Sequence, residues 1–178
     1  MQSEYRVNVI WRAFPLHPET PEEGRTLEEL FKTDTTHISR IISQLKQHAD
    51  QLGLPFGDRH MTFNSRLAQE LGLWAEDKGY GHAFHMEAFT RYFAESCNLA
   101  KHDELLKIVE SCNLPRNEAL DVIANRSYKD AVDRDWERSR KMQITAVPTF
   151  IIEESRLVGA QNYANLQGLM LQHGVVKK

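Results

Sequence analysis

Redox, metal and acid–base chemistry each need particular side chains at particular spacings, and this 178-residue chain offers few such sets. Its two cysteines, Cys97 and Cys112, are the first candidates. A dithiol site needs two sulfurs side by side, one with its pKa lowered by a helix N-terminus or a cation. These two flank the helical stretch "DELLKIVES", and a rise of ~1.5 Å per residue sets them about 10–15 Å apart. A disulfide tolerates only about 7 Å between Cα atoms. Cys112 also falls at the expected C-terminus of that helix, where the macrodipole disfavours a thiolate. Both are expected to be small buried hydrophobes. His82 and His85 stand three apart in "GHAFHMEAF", with Glu87 nearby, a spacing that lets two imidazoles share a metal. No third ligand is fixed, and no metal is assigned. Phe84, Phe89, Tyr92 and Phe93 fit either a ligand groove or a packed core, and core packing is the expectation. No Gly-rich phosphate loop, Gly-x-Ser-x-Gly elbow or His-Glu-x-x-His occurs. No catalytic residue and no cofactor is assigned.

One stretch remains, "QITAVPTFII", where Pro148 stands at the entrance to an apolar strand. A proline there removes one donor and bends the backbone, which leaves adjacent main-chain groups able to pair with an extended peptide. A trans-proline that starts an edge strand fits the same residues, and the stretch alone leaves both open.

The elements that must position this stretch follow from periodicity. "YRVNVIWRAF" alternates, with Tyr5, Val7, Val9 and Trp11 on one side, and predicts a strand. "PLHPETPEEG" is an extended loop. Thr26, with Glu29 three residues on, predicts a capping box at the start of a short helix. Ile38, Ile41, Ile42, Leu45, Ala49 and Leu52 share one face of the next helix, ended by Gly53. Asn64 is placed to cap a third, with Leu67, Leu71, Trp74 and Ala75 on its stripe. Helices at "HAFHMEAFTRYFAES", "ELLKIVES", "PRNEALDVIAN" and "YKDAVDRDWERSRKMQ" follow. Two short strands, "TFIIE" and "RLVGA", then form a hairpin around "ESR" before a last helix capped by Asn162. Sheet-forming ends around a run of helices predict an α/β domain with a helical insertion.

Composition sets further bounds. A net charge of −3 gives no electrostatic case for nucleic acid or an anionic membrane. No segment approaches the ~18 apolar residues of a membrane span, and the N-terminus lacks a signal-peptide core. Two cysteines are too few for a disulfide scaffold, so a cytoplasmic location is expected.

Val147-Pro148-Thr149-Phe150, then a hairpin, then Gly159-Ala160-Gln161 before a final helix, resembles the DsbA family of thioredoxin-fold proteins, and within it the FrnE-like cytosolic branch. "VNVIWRAFPLHPETPEEG" is similar to that branch's second strand and its proline-rich exit, and "FNSRLAQELGLWAEDKG" to the opening of its helical insertion. The likeness runs from about Val7 to Leu171. It implies thiol–disulfide oxidoreductase ancestry, a cis Pro148, and a substrate-binding loop at Val147, Pro148 and Thr149. It also implies an incomplete thioredoxin-like α/β fold, with residues 1–25 and 143–178 forming the thioredoxin-like domain and residues 26–142 a large all-helical insertion.

In that family a strand and a helix bearing Cys-x-x-C precede the segment matching "VNVIWRAF", and here that unit has no counterpart. The expectation is a redox-inactive relative that binds a peptide or partner at the cis-proline loop. The missing strand is central in the family's fold, and each buried unpaired amide or carbonyl costs on the order of 1–3 kcal/mol. Three outcomes fit: a strand shift that pairs "VNVIW" with "TFIIE", two chains completing each other's sheets, or a fragment of a longer parent oxidoreductase; of these a homodimer is expected. A kappa-class glutathione transferase or 2-hydroxychromene-2-carboxylate isomerase relative is the alternative. Those typically carry Trp-Gly-Gln-Asp where this chain has "LVGAQN". A purely structural interaction module is the third reading.

Overall fold

The computed structural model describes every residue from Met1 to Lys178. The chain divides into two compact units, Pro15–Asp133 and a second built from Met1–Phe14 with Arg134–Lys178.

The first unit opens with strand β1 (Arg25–Thr26) and helix α1 (Leu27–Phe31). The capping box forms as expected: the Thr26 hydroxyl accepts from the Glu29 amide at 3.1 Å, and the Glu29 carboxylate accepts from the Thr26 amide at 3.0 Å. Helix α1 ends on Lys32, which takes the left-handed conformation at φ 51°. A side chain there is strained by its own Cβ, a cost that glycine avoids. Lys32→Gly is therefore expected to raise stability by about 0.5–1 kcal/mol, read as a higher urea midpoint with an unchanged slope.

Helix α2 (Thr35–Gln51) is capped by the Asp34 carboxylate, which accepts from the His37 amide at 2.8 Å. Of its expected apolar face only Ile38 and Ala49 are buried, while Leu45 and Leu52 remain 46% and 62% exposed. Periodicity marks a stripe, but burial needs a neighbour long enough to cover it. The five-residue α1 is too short.

Strand β2 (Met61–Thr62) pairs antiparallel with β1, Arg25 opposite Thr62. Helices α3 (Arg66–Asp77), α4 (Gly81–Phe93), α5 (His102–Ser111) and α6 (Arg116–Asn125) then enclose the core. Leu71, Trp74, Phe84, Leu105, Ile108 and Ala119 meet there, each almost wholly buried. The N-cap of α3 is Ser65 rather than the expected Asn64, which sits one residue earlier and steadies the entry by accepting from the Arg66 amide at 2.9 Å and donating to the Thr20 carbonyl at 2.8 Å.

Helix α7 (Lys129–Lys141) crosses into the second unit, where β3 (Thr149–Ile152), β4 (Ser155–Val158) and α8 (Tyr163–Gln172) follow. The strand expected from "YRVNVIWRAF" does not form a ladder. Tyr5 makes a lone antiparallel bridge with Lys177, and Val9 and Ile10 are 48% and 60% exposed. Alternation supplies side chains for two faces, but a strand also needs a neighbour to take its backbone bonds. Other contacts hold the segment: the Asp135 carboxylate accepts from the Ala13 amide at 2.9 Å and from Arg12 at 3.2 Å. Tyr5 is fully buried, and its hydroxyl meets the Gln167 side chain of α8.

Candidate functional site

The loop entering β3 is built by the end of α7. Gln143 turns the chain at φ 53°, and the Ile144 amide donates to the Ser139 carbonyl at 2.9 Å, closing the helix. The Arg156 guanidinium of β4 donates to the Met142 carbonyl at 3.0 Å and fixes the helix end to the hairpin. The chain then bends through residues 146–148; Val147 is 42% exposed, and the Val147–Pro148 peptide is cis. Thr149 fastens the loop from beneath, its hydroxyl donating to the Ala146 carbonyl at 2.7 Å.

The hairpin is tighter than its sequence suggested. Ile152 pairs with Ser155 across a two-residue turn of Glu153 and Glu154, and the register runs Ile151↔Arg156, Phe150↔Leu157, Thr149↔Val158. In an antiparallel pair, residues alternate between exchanging both backbone bonds and pointing both groups away. The Gly159 amide donates to the Pro148 carbonyl at 2.8 Å, which sets the phase. Pro148, Phe150 and Ile152 therefore turn their backbone groups to β4, whereas Thr149 and Ile151 turn theirs to the opposite edge. No strand pairs with that edge. It carries no charge, bulge or internal proline, the devices that usually blunt an open edge. Thr149 and Ile151 are thus the residues with free main-chain donors and acceptors beside Pro148. Of the two, the sequence reading named Thr149 alone. The two-residue loop length, which fixes register, was the signal for Ile151.

The same loop has a basic flank. Arg134, Glu137, Arg138, Lys141 and Met142 line an open cleft of about 450 Å³ on α7. Within it Lys141 pairs with Glu137 at 2.7 Å, leaving an excess of positive charge.

Neither cysteine forms a disulfide. Both lie in the helical unit, Cys112 buried at the end of α5. Burial pushes the Cys112 thiol up, helped by the negative charge of Glu87. Burial also raises Cys97, as do its hydrogen bond to Glu104 at 3.5 Å and the charges of Glu104 and Glu95. A reactive thiol is shifted the other way. His82 and His85 do not converge with Glu87, which binds Arg91 at 2.9 Å. His85 instead faces Glu76 at 3.5 Å, and burial, then the charge of His82, lowers its pKa to about 4. Phe84 is core, as expected, whereas Phe89 is 42% exposed.

Comparison with known proteins agrees with this architecture. The chain is 26% identical over 157 residues to the uncharacterized protein YwbO of Bacillus subtilis (strain 168), covering 86% of this chain and 76% of that one. The crystal structure of a probable DsbA oxidoreductase from Streptomyces coelicolor superposes with a TM-score of 0.86 at 22% identity, over 95% of this chain and 76% of that one. No helix is long and apolar enough to cross a membrane. The family model of the DSBA-like thioredoxin domain matches residues 1–170, and the chain belongs to that family.

Proposed function

We propose that this chain, a FrnE-like member of its family, binds an extended peptide segment at Val147, Pro148 and Thr149 and carries out no thiol–disulfide exchange of its own. One observation carries the reading: the outer edge of β3 offers the amide and carbonyl of Thr149 and Ile151 to no other strand. An extended peptide that adds itself there gains regular main-chain hydrogen bonds, while Val147 offers it apolar contact. Absence of exchange is supported by the upward shifts of both thiols and by their lying within the helical unit. Two free cysteines suit a reducing cytoplasm, and exposed Val9, Ile10, Val147 and Val158 support self-association as a homodimer.

Two measurements test this. A fluorescently labelled, uncharged, β-prone peptide is expected to bind with an anisotropy rise that Thr149→Pro weakens on the order of 10-fold, since that change removes one outward donor and leaves the β4 ladder intact. Insulin reduction with dithiothreitol is expected to proceed at the uncatalysed rate, in wild type and in a variant lacking both cysteines alike. Cysteine-dependent turnover would end the redox-inactive reading, and absence of peptide binding would end the other half.

A further inference from the structure

We infer that the strand occupying the outer edge of β3 in the resting protein is β3 of a second copy, paired antiparallel about a two-fold axis at Phe150. This deepens the reading of that edge as a strand acceptor, and it makes the dimer a competitor of the peptide.

The register follows from the phase of the hairpin. A two-fold axis opposite Phe150 places Thr149 against Ile151 of the second copy and Ile151 against its Thr149. Both outward residues of each chain are then in hydrogen-bonded positions, so every free donor and acceptor within β3 is used and four backbone bonds form. An axis at Ile151 instead sets Thr149 against Glu153, whose φ of 51° takes it out of the extended conformation, and half the bonds are lost. Two-fold symmetry asks a surface to match itself, and this edge does.

Charge is compatible with the same arrangement. The only charges at the ends of β3 are Glu153 and Glu154, both in the turn. With the axis at Phe150 the two Glu153 residues stand six positions apart along the ladder, roughly 20 Å, well beyond the Debye length of about 8 Å. Each acidic turn falls beyond the start of the other copy's β3, on the side of its uncharged, bent segment 146–148. The basic last turn of α7, with Arg138, Arg140 and Lys141, leads into that segment. The two turns thus avoid each other. Phe150 meets its own symmetry mate in a non-hydrogen-bonded pair, where side chains come closest.

That closest pair supplies the test. Cα atoms in such a pair lie about 4.5 Å apart, within disulfide range. In a background of Cys97→Ser and Cys112→Ala, Phe150→Cys is expected to give a covalent dimer under mild oxidation, linked through position 150. Leu157→Cys, on β4, is expected to stay monomeric on denaturing gels. Because loss of Phe150 can weaken the hairpin, sedimentation velocity on Ile151→Pro provides a second arm. That substitution deletes two of the four intermolecular bonds and none to β4, so dimerisation should weaken on the order of 30-fold. Added peptide should convert the wild-type dimer to monomer. A wild-type protein that sediments as a monomer at 100 µM overturns the inference. So does a dimer indifferent to Ile151→Pro, or one with equal cross-linking at 150 and 157. A monomer that still binds peptide leaves the proposed function standing; a β3-linked dimer that no peptide displaces removes the peptide reading and keeps the dimer.

Discussion

Gly57→Ala is expected to cost about 3 kcal/mol, the top of the usual range for overpacking, and to lower the melting temperature by roughly 10 °C. The residue sits where the chain returns from α2 and crosses the C-terminus of α4. Its amide donates to the Phe93 carbonyl at 2.9 Å, and a Cβ added to it would fall inside the radius of the Ala94 carbonyl oxygen. A long side chain can swing away from such an intrusion, but a carbonyl that ends a helix cannot. Either the crossing loop lifts or α4 frays. Lifting also separates Phe56 from Phe93, whose rings stack at 6.0 Å, and Arg59 from the Tyr92 ring, over which it lies at 4.4 Å. Gly168→Ala provides the contrast. It lies within α8 with nothing inside 4 Å of the added carbon, and should stabilise by about 0.5–1 kcal/mol through helix propensity and a less flexible unfolded chain. Thermal melts of the two variants should move in opposite directions.

Arg126→Ala is the second large effect. Glu70 on α3 is 1% exposed, yet its carboxylate is charged. Arg126 grips it with two hydrogen bonds, at 2.8 and 2.7 Å, and Arg66 adds a third at 2.8 Å. Burial alone would raise the Glu70 carboxyl, but the hydrogen bonds from Arg126 and Arg66, and their charges, outweigh it and hold it below its ordinary 4.5. Removing one partner leaves a buried charge half compensated, at a cost of about 3 kcal/mol. Arg126 is left-handed at φ 51°, a conformation alanine suffers equally, so the loss reports the ion pair rather than the backbone. A carboxyl with a depressed folded pKa contributes stability that is complete above its unfolded pKa and lost as pH falls through the folded value. Wild type should therefore hold this contribution in full well above pH 4.5 and shed it as pH falls from there, while Arg126→Ala should lack most of it at neutral pH and show a flatter acid limb. Urea titrations at pH 7 and pH 3.5 measure both slopes; equal stability of the two proteins at pH 7 would refute the assignment.

The helical unit was largely legible because its signals are local. Thr26 and Glu29 are three residues apart, and Leu71, Trp74 and Ala75 repeat at helical spacing, so caps and core face follow from neighbours in sequence. Glu70 was not legible as a buried ion. It occupies an ordinary charged position in "RLAQELG", and its main partner lies 56 residues away. Val7 to Phe14 shows the opposite failure: the alternation is clear, but a ladder also depends on a second strand that no local pattern supplies. At the hairpin, residue types located the strands and Pro148. Which backbone groups face outward depended on a turn of two residues rather than three. That one-residue difference reverses the edge on which Thr149 and Ile151 present their amides.

The unit holding β3 is assembled from two pieces of chain, Met1–Phe14 and Arg134–Lys178, with 119 intervening residues that form a unit of their own. Segments so distant meet slowly, because loop closure must be completed before any contact rewards it. The intervening block needs no such closure and can acquire its structure first, shortening the tether between the outer pieces as it does so. The Tyr5–Lys177 bridge is therefore expected to form late in folding. The outer edge of β3, which no strand of the chain itself covers, is then a hydrogen-bonding template on a half-assembled domain, at the stage when a newly made chain is most exposed to capture by its neighbours.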